Sequence, residues 1–248
     1  MEQKAGLKYL KKAKSNLNSS KILYENGEKI NAVYFLQQTV ELLSKSFLMY
    51  LGAEEKQLKK WIGHDCIMLH EIFNIYNDML KKQGIMPIDE AQKYIKKIHY
   101  TTIPEIFKDS EHRYLDENGK KTKEYTKIID KYAKMAKKLD IQKMIQINKH
   151  YHTKSDMVLL LKPNSNLNIK FPTSLLYYTG LLNDISIDLL NLTVMFPDGA
   201  INQIRYTTDT KNVKKYLSNY KEICDILDKC IYTLEILINE YQDINSLN

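Results

Sequence analysis

The sequence predicts an all-α protein, and three observations support that prediction. Glycine and proline are scarce, with 8 and 5 copies in 248 residues, so few positions interrupt a helix. Apolar residues recur at three- and four-residue steps over most of the chain, as they do on the buried face of a helix. The final segment shows this spacing most clearly, at Val213, Leu217, Tyr220, Cys224, Leu227, Ile231, Leu234, Ile238 and Tyr241. Such a helix packs along its length against a partner helix of the same chain or of another.

The first three helices can be placed from their stop signals. A helix over Ala5–Asn26 ends where Gly27 follows, because glycine adopts the left-handed backbone that closes many helices. A second helix runs from about Lys29 to Leu51, carries an apolar stripe on one face and ends at Gly52. A third helix covers roughly His64–Lys82.

The pattern becomes less regular beyond the third helix. Two short helices are predicted at Ile88–His99 and Ile103–Tyr114, followed by a basic helix from Lys123 to about Lys149. A small β-hairpin is predicted at about 157–171, because two β-prone runs flank a four-residue polar loop. An apolar helix follows and ends near Pro197.

The most apolar stretch, Leu175–Phe196, predicts a core helix and no membrane association. It contains Asp184 and Asp188, and charges near the centre of a bilayer are costly. No apolar run of signal-peptide length opens the chain. The three cysteines are odd in number and lack metal-type spacing, which is typical of reduced thiols. We therefore expect a cytoplasmic protein.

Positive charge is concentrated in the middle of the chain. The net charge is +7, and residues 81–154 alone contribute +8. Such a segment can attract phosphates, which makes RNA a candidate partner there, whereas composition alone favours an ordinary solvated lysine face. The chain has 35 lysines and only two arginines, Arg113 and Arg205, so each arginine is informative.

Three sequence segments carry a resemblance to a known family. The second helix contains a Gln-Gln-x-x-Glu-x-x-x-Lys run that includes Gln37, Glu41 and Lys45, and Gly63-His64-Asp65 opens the third helix. Together with residues 19–26 this resembles the HEPN family, over about residues 5–80. A second part of the resemblance covers about 204–240, where Ile204-Arg205-Tyr206 precedes the last helix. We therefore expect one domain over residues 1–248, with 83–200 as an inserted elaboration.

The resemblance implies an antiparallel helical bundle, homodimerisation, and a role in RNA cleavage, toxin–antitoxin pairs or phage defence. A nucleotidyltransferase-type protein partner belongs to the same set of expectations. Ribonuclease members use an Arg and a His that are separated by four to six residues. In this chain Arg113 is followed at 118–120 by Asn, Gly and Lys, and Arg205 is followed at 210–212 by Thr, Lys and Asn. The standard ribonuclease motif is therefore absent.

The candidate site residues follow from these patterns. The binding candidates are Gln37, Glu41, Lys45 and Arg113, and the catalytic candidates are Arg205, Tyr206 and His64. For His64, a helix cap or an oriented structural histidine is the alternative interpretation. No metal site is predicted, because His150 and His152 have only Asp156 nearby. No cofactor is predicted either, because the sequence has no glycine loop that cradles phosphate and no dinucleotide fingerprint.

Three functional hypotheses remain open. The first is a HEPN-like RNA-associated or partner-binding protein of a toxin–antitoxin or phage-defence system, without the standard ribonuclease motif. The second is a divergent, metal-independent endoribonuclease effector that uses Arg205, Tyr206 and a distant histidine. The third is a structural protein that oligomerises through its long final helix.

Overall fold

A computed structural model describes residues 2–64, 66–82, 103–146, 172–196 and 213–246. The hairpin predicted at about 157–171, the short helix predicted at 88–99 and the Arg205-Tyr206 pair lie outside these residues.

The described residues are almost entirely helical. The long helices are α1 (Glu2–Glu25), α2 (Lys29–Tyr50), α3 (Cys66–Lys82), α4 (Ile103–Tyr114), α5 (Lys123–Lys137), α6 (Pro172–Met195) and α7 (Tyr220–Ser246). Between α2 and α3 a short turn, Glu55–Gln57, continues into a π-helix, Leu58–Ile62. Residues 141–146 are helical, and a single turn, Lys214–Leu217, precedes α7.

Helices α1 and α2 form an antiparallel hairpin. Gly27 closes α1 with φ +82°, a backbone conformation that strains other residues. Two buried serines join the helices by side-chain donation to backbone carbonyls. Ser20 Oγ donates to the carbonyl of Ala32, and Ser46 Oγ donates to the carbonyl of Gly6, both at 2.8 Å. These bonds lie near opposite ends of the hairpin and set its register.

Helix α2 is the centre of the bundle, because it packs against α1, α3, α6 and α7. Fourteen of its 22 residues are buried, so it is buried on more than one face. Its apolar side chains form a large part of the core, and the ring centres of Phe47 and of Phe73 in α3 lie 6.1 Å apart. A polar residue on this helix therefore meets protein more often than water.

Helices α6 and α7 complete the bundle around α2. Helix α6 packs antiparallel to α3, where Ser186 Oγ donates to Asn77 Oδ1 at 3.0 Å. Helix α7 packs on α6, α2 and α1, and two ion pairs link it to α1: Lys14 with Glu235 at 2.8 Å and Lys21 with Asp228 at 2.6 Å. The apolar face of the last helix is thus covered by helices of the same chain.

Helices α4 and α5 form a second hairpin on the outer side of α3. Their connection turns at Asp116, whose Oδ1 accepts from the backbone N–H of Asn118 and of Lys120, and Gly119 has φ +72°. Thr122 caps α5 by accepting from the N–H of Tyr125 at 3.3 Å. The hairpin packs on α3 and α6.

The predicted all-α bundle is confirmed, and some boundaries differ from those predicted. The third helix begins at Cys66, so His64 lies in the preceding turn rather than at the helix start. The final helical pattern is interrupted at Ser218 and Asn219 before α7 begins. In the described part of the chain, no helix combines the length and apolar character that crossing a bilayer requires.

Candidate functional site

Glu41 and Lys45 of α2 form a buried ion pair. One helical turn separates them, which places both on the same face, and Lys45 Nζ lies 2.6 Å from Glu41 Oε1. Their side chains are 2% and 7% exposed for Glu41 and Lys45 respectively. Neither charge is stable alone at this depth, because an unpaired buried ion pays the full cost of leaving water. Removal of either charge therefore leaves the other buried without its partner.

The turn before α3 supplies the other members of the cluster. Gly63 follows the π-helix with φ +56° and ψ −112°, and its carbonyl oxygen accepts a hydrogen bond from the Lys45 ammonium. His64 comes next, and its Nδ1 lies 3.0 and 3.1 Å from Glu41 Oε1 and Oε2. Glu41, Lys45, Gly63 and His64, here called the Glu41 cluster, thus join the two sequence motifs of the family resemblance.

Glu41 determines which nitrogen of His64 carries the proton. A carboxylate paired with an ammonium only accepts hydrogen bonds, so Nδ1 of His64 must be the donor. In the neutral ring, Nε2 is then the nitrogen with the available lone pair. The His64 side chain is 80% exposed, so this basic nitrogen is accessible to solvent and to solutes. An imidazole oriented in this way by a carboxylate is chemically suited to act as a general base.

Helix α2 also buries Gln37 and Ser44, two polar residues close in sequence to Glu41 and Lys45. Gln37 lies one turn before Glu41 and is fully buried, and Ser44 is buried next to Lys45. Within the part of the chain that the structure describes, both amide atoms of Gln37 and the Ser44 hydroxyl have no hydrogen-bond partner. Such groups cost stability, about 1–3 kcal/mol each. The predicted binding residue Gln37 therefore lies inside the bundle, not on its surface.

Arg113, a further predicted binding residue, does not join the cluster. Arg113 is exposed at the end of α4, where its carbonyl accepts from Thr122 Oγ1 at 3.0 Å. No hydrogen bond or ion pair links Arg113 to the Glu41 cluster among the described residues. Arg205 and Tyr206 lie outside the described residues.

Helix α5 presents a second candidate site, a row of exposed lysines. Its members are Lys123, Lys127, Lys131, Lys134 and, at the residue that caps the helix, Lys138. At about 100° per residue, these five positions fall within an arc of about 80°. We call this row the lysine stripe. The opposite side of α5 carries Tyr125, Tyr132 and Ala136, all of them buried.

A buried glutamate that the sequence interpretation missed holds α4 and α5 onto α3. Glu71 of α3 accepts from Tyr114 Oη at 3.0 Å and from Tyr132 Oη at 2.5 Å. Burial is the main cause that raises the pKa of both tyrosines, followed by their carboxylate neighbour for Tyr114 and the hydrogen bond to Glu71 for Tyr132. The sequence feature that could have identified Glu71 is an acidic residue among the apolar positions of α3.

His70 stands next to Glu71 and is also buried. Its Nδ1 donates to the carbonyl of Leu190 in α6 at 2.8 Å, and its ring meets the edge of Tyr132, with 4.6 Å between ring centres. Burial lowers the pKa of His70 to about 4 and outweighs the opposing effect of the hydrogen bond. His70 is therefore neutral at physiological pH and joins α3 to α6.

Two other features of the described residues concern ligands. An open cavity of about 730 Å³ lies at the α4–α5 turn, and Glu111, Asp116 and Glu117 are among its lining residues. This acidic lining disfavours anions, and the Asp116 carboxylate is already used to hold the turn. No group of three His, Cys, Asp or Glu side chains is placed to hold a metal ion in the described part of the chain.

Comparison with known proteins identifies the family. No match is found among curated proteins or among solved structures. The sequence model of the family described as HEPN domain matches residues 7–142, which is more than half of the chain. The matched range includes the Glu41 cluster and the lysine stripe, and it extends beyond residue 80, where the first part of the sequence resemblance ends. The chain therefore belongs to the HEPN domain family.

Proposed function

We propose that this protein is an RNA-associated HEPN protein that binds RNA through the lysine stripe of α5 and lacks the Arg–His ribonuclease motif. HEPN domains are associated with RNA-related and with toxin or defence functions. The observation that supports this proposal best is the lysine stripe. Residues 120–138 contain eight lysines and two acidic residues, so the local charge strongly favours phosphate.

The stripe differs from a scattered set of surface lysines in its geometry. Its lysines all face solvent on one side of one helix, and the Glu71 bonds to Tyr114 and Tyr132 fix that helix to the bundle. One member, Lys127, is partly neutralised by Glu124 at 3.1 Å, an exposed pair that is easily exchanged for a phosphate. A fixed row of cations releases several counterions when it meets a polyanion, which is the main source of affinity for nucleic acids.

The test is RNA binding by a triple variant, Lys127→Ala, Lys131→Ala and Lys134→Ala, here called the stripe variant. A matched control variant removes three exposed lysines of α1: Lys8→Ala, Lys11→Ala and Lys12→Ala. Fluorescence anisotropy between about 50 and 200 mM salt measures affinity and its salt slope. We expect the stripe variant to lose at least tenfold in affinity, and the control variant to bind like the wild type. Equal losses in both variants would contradict the proposal.

A second candidate function is that of a divergent, metal-independent endoribonuclease effector, and the Glu41–His64 contact favours it. In this proposal Nε2 of His64 takes the proton of a ribose 2′-hydroxyl, and the 2′-oxygen attacks the adjacent phosphorus. The bond from phosphorus to the 5′-oxygen breaks, and that oxygen receives the proton back from His64. The products are a 2′,3′-cyclic phosphate and a 5′-hydroxyl.

RNA cleavage assays with His64→Ala and Arg205→Ala test this candidate. It predicts cleavage by the wild type in the presence of a chelator, and a loss of at least a hundredfold in His64→Ala. Arg205→Ala tests the predicted role of Arg205 independently of His64, because each variant removes only one of the two side chains. Intact RNA after incubation with the wild type, or full activity in His64→Ala, would eliminate His64 as the base.

The cellular setting is proposed on family grounds. HEPN domains commonly dimerise, and we propose a cytoplasmic homodimer within a toxin–antitoxin or phage-defence system, with a nucleotidyltransferase-type partner. Light scattering measures the oligomeric state, and co-purification from the native cells identifies the partner. The structural-protein hypothesis needs the final helix to join chains, yet α7 already packs on α1, α2 and α6.

A further inference from the structure

The tyrosines around the lysine stripe are turned into the protein. Tyr114, Tyr125 and Tyr132 are 1%, 7% and 3% exposed. The hydroxyls of Tyr114 and Tyr132 are bound to Glu71, and Lys121 covers the ring of Tyr125 at 4.1 Å. Proteins that hold single-stranded nucleic acid usually stack its bases on exposed aromatic rings. These three rings cannot serve in that way without leaving the interior, and for Tyr114 and Tyr132 this would break the bonds that attach α4 and α5 to α3.

Lysine can contact O6 and N7 of guanine, but the stripe lacks the planar side chains that distinguish the bases most selectively. Arginine, asparagine and glutamine make the bidentate contacts by which proteins distinguish bases, and residues 120–138 contain none of the three. The lysines carry compact charges that suit phosphate oxygens. Contacts of this kind position a protein on nucleic acid without reading its sequence.

The length and rigidity of the stripe favour a duplex over a single strand. From Lys123 to Lys138 the helix rises about 22 Å, over which a duplex presents about 13 phosphate charges and one strand about half as many. The phosphates of a duplex are already held in place, whereas a single strand must be ordered to follow a straight row of lysines. That ordering costs conformational entropy, which stacking on this surface does not offset.

We propose that the lysine stripe binds the sugar–phosphate backbone of double-stranded nucleic acid without preference for base sequence. This inference rests on the proposed function, because it specifies the kind of nucleic acid that the same surface takes. The chemistry shared by double-stranded RNA and double-stranded DNA is the paired row of phosphates. The two differ in groove shape and in the 2′-hydroxyl, which are contacts outside the stripe.

The test compares four probes of the same length, about 20 nucleotides per strand: double-stranded RNA, double-stranded DNA of the same sequence, one RNA strand alone, and a duplex RNA of scrambled sequence. The wild type, the stripe variant and the α1 control variant are titrated with each. We expect a duplex to bind at least tenfold tighter than the single strand, and the scrambled duplex to bind within about twofold of the original. The salt slope for the duplex should approach about −4.5 for five lysines, and the stripe variant should lower its size by about 2.7.

The outcomes separate the two proposals. The inference is supported if duplex RNA, duplex DNA or both bind tightly, and if this binding is lost in the stripe variant and kept in the control variant. The duplex that binds more tightly then shows whether the bound phosphates are those of RNA or of DNA. Binding of the single strand as tight as that of the duplexes, or a tenfold preference for one duplex sequence, overturns the inference and leaves RNA association standing. Absence of binding to all four probes overturns both. The substituted lysines are exposed, and circular dichroism checks that each variant is folded as the wild type is.

Discussion

The carboxylate of Glu41 accepts a hydrogen bond from the imidazole of His64, which lies 23 positions later in the chain, at 3.0 Å. The two partners differ sharply in burial, because the Glu41 side chain is 2% exposed and the His64 side chain is 80% exposed. Glu41 and Lys45 therefore belong to the interior of the bundle, whereas His64 belongs to its surface. Substitutions of Glu41 or Lys45 should therefore lower the free energy of unfolding, whereas substitutions of His64 should change only the chemistry of the surface.

Lys45→Met should destabilise the protein by about 3–5 kcal/mol, because it leaves the Glu41 carboxylate buried without its cation. Urea unfolding followed by circular dichroism measures the free energy of unfolding. The double variant Lys45→Met, Glu41→Gln should recover part of the loss, since it removes the uncompensated charge as well.

The matched control for this prediction is Lys59→Met. Lys59 pairs with Glu55 at 2.7 Å, also one turn apart, but its side chain is 66% exposed. Exposed pairs contribute little to stability, because water and salt screen their charges. A loss of similar size in Lys45→Met and Lys59→Met would show that burial does not govern the Glu41 pair.

His64→Ala should change the free energy of unfolding by less than about 1 kcal/mol, because the ring is mostly in water and Glu41 keeps its bond to Lys45. Thermal and urea unfolding measure the change. A loss of about 3 kcal/mol would assign His64 a structural role. With stability unchanged, any loss of RNA cleavage in this variant is a chemical effect.

His70 should make the protein less stable in mild acid. Its pKa is about 4 in the folded protein and about 6.5 when unfolded, so between these values only the unfolded state binds the proton. Stability is therefore lost as the pH falls from about 6.5 to about 4, by about 3 kcal/mol in total.

Unfolding free energies at a series of pH values from about 7 to 4 test the His70 prediction. In His70→Gln, which keeps a donor for the Leu190 carbonyl, the part of the slope that lies above pH 5 should largely disappear. Carboxylates also titrate near the lower end of this range, so the comparison is made between variant and wild type at each pH. An unchanged slope in His70→Gln would contradict the prediction.

Tyr132→Phe should destabilise the protein by about 1–3 kcal/mol, because the buried Glu71 carboxylate loses one of its two hydroxyl donors. Urea unfolding measures the loss. Tyr232→Phe on α7 is the matched control, since Tyr232 is 62% exposed and should tolerate the change. Equal effects at the two tyrosines would remove the anchoring role assigned to Glu71.

The three thiols should be unreactive in the folded protein. Cys66, Cys224 and Cys230 are all buried, and burial raises the pKa of Cys224 to about 11 and that of Cys230 well above its usual value. The thiolate is the reactive form, so burial of the thiols and the raised pKa of Cys224 and Cys230 both slow their reaction with a thiol reagent. Titration with a thiol reagent near pH 8 should show all three only after unfolding. A rapidly reacting thiol in the native protein would contradict this.

The regular parts of the fold were predictable because helix periodicity is a local property. The spacing of apolar residues defined α1 and α2 to within a few residues, and Gly27 marked the end of α1 as predicted. The start of α3 was placed two residues early, because the π-helix Leu58–Ile62 has no recognisable spacing signal. The β-hairpin, the inserted elaboration and the roles of Arg205 and Tyr206 stay predictions.

The sequence by itself determined the helical class, the family, and the one-turn spacing that places Glu41 and Lys45 on one helix face. Only the tertiary structure decided that this face is buried, that the backbone of Gly63 turns His64 onto Glu41, and that Glu71 binds Tyr114 and Tyr132 of other helices. The physical reason is the range of the interactions. Periodicity acts over a few residues, whereas burial and pairing across 23 to 61 positions depend on how whole helices pack.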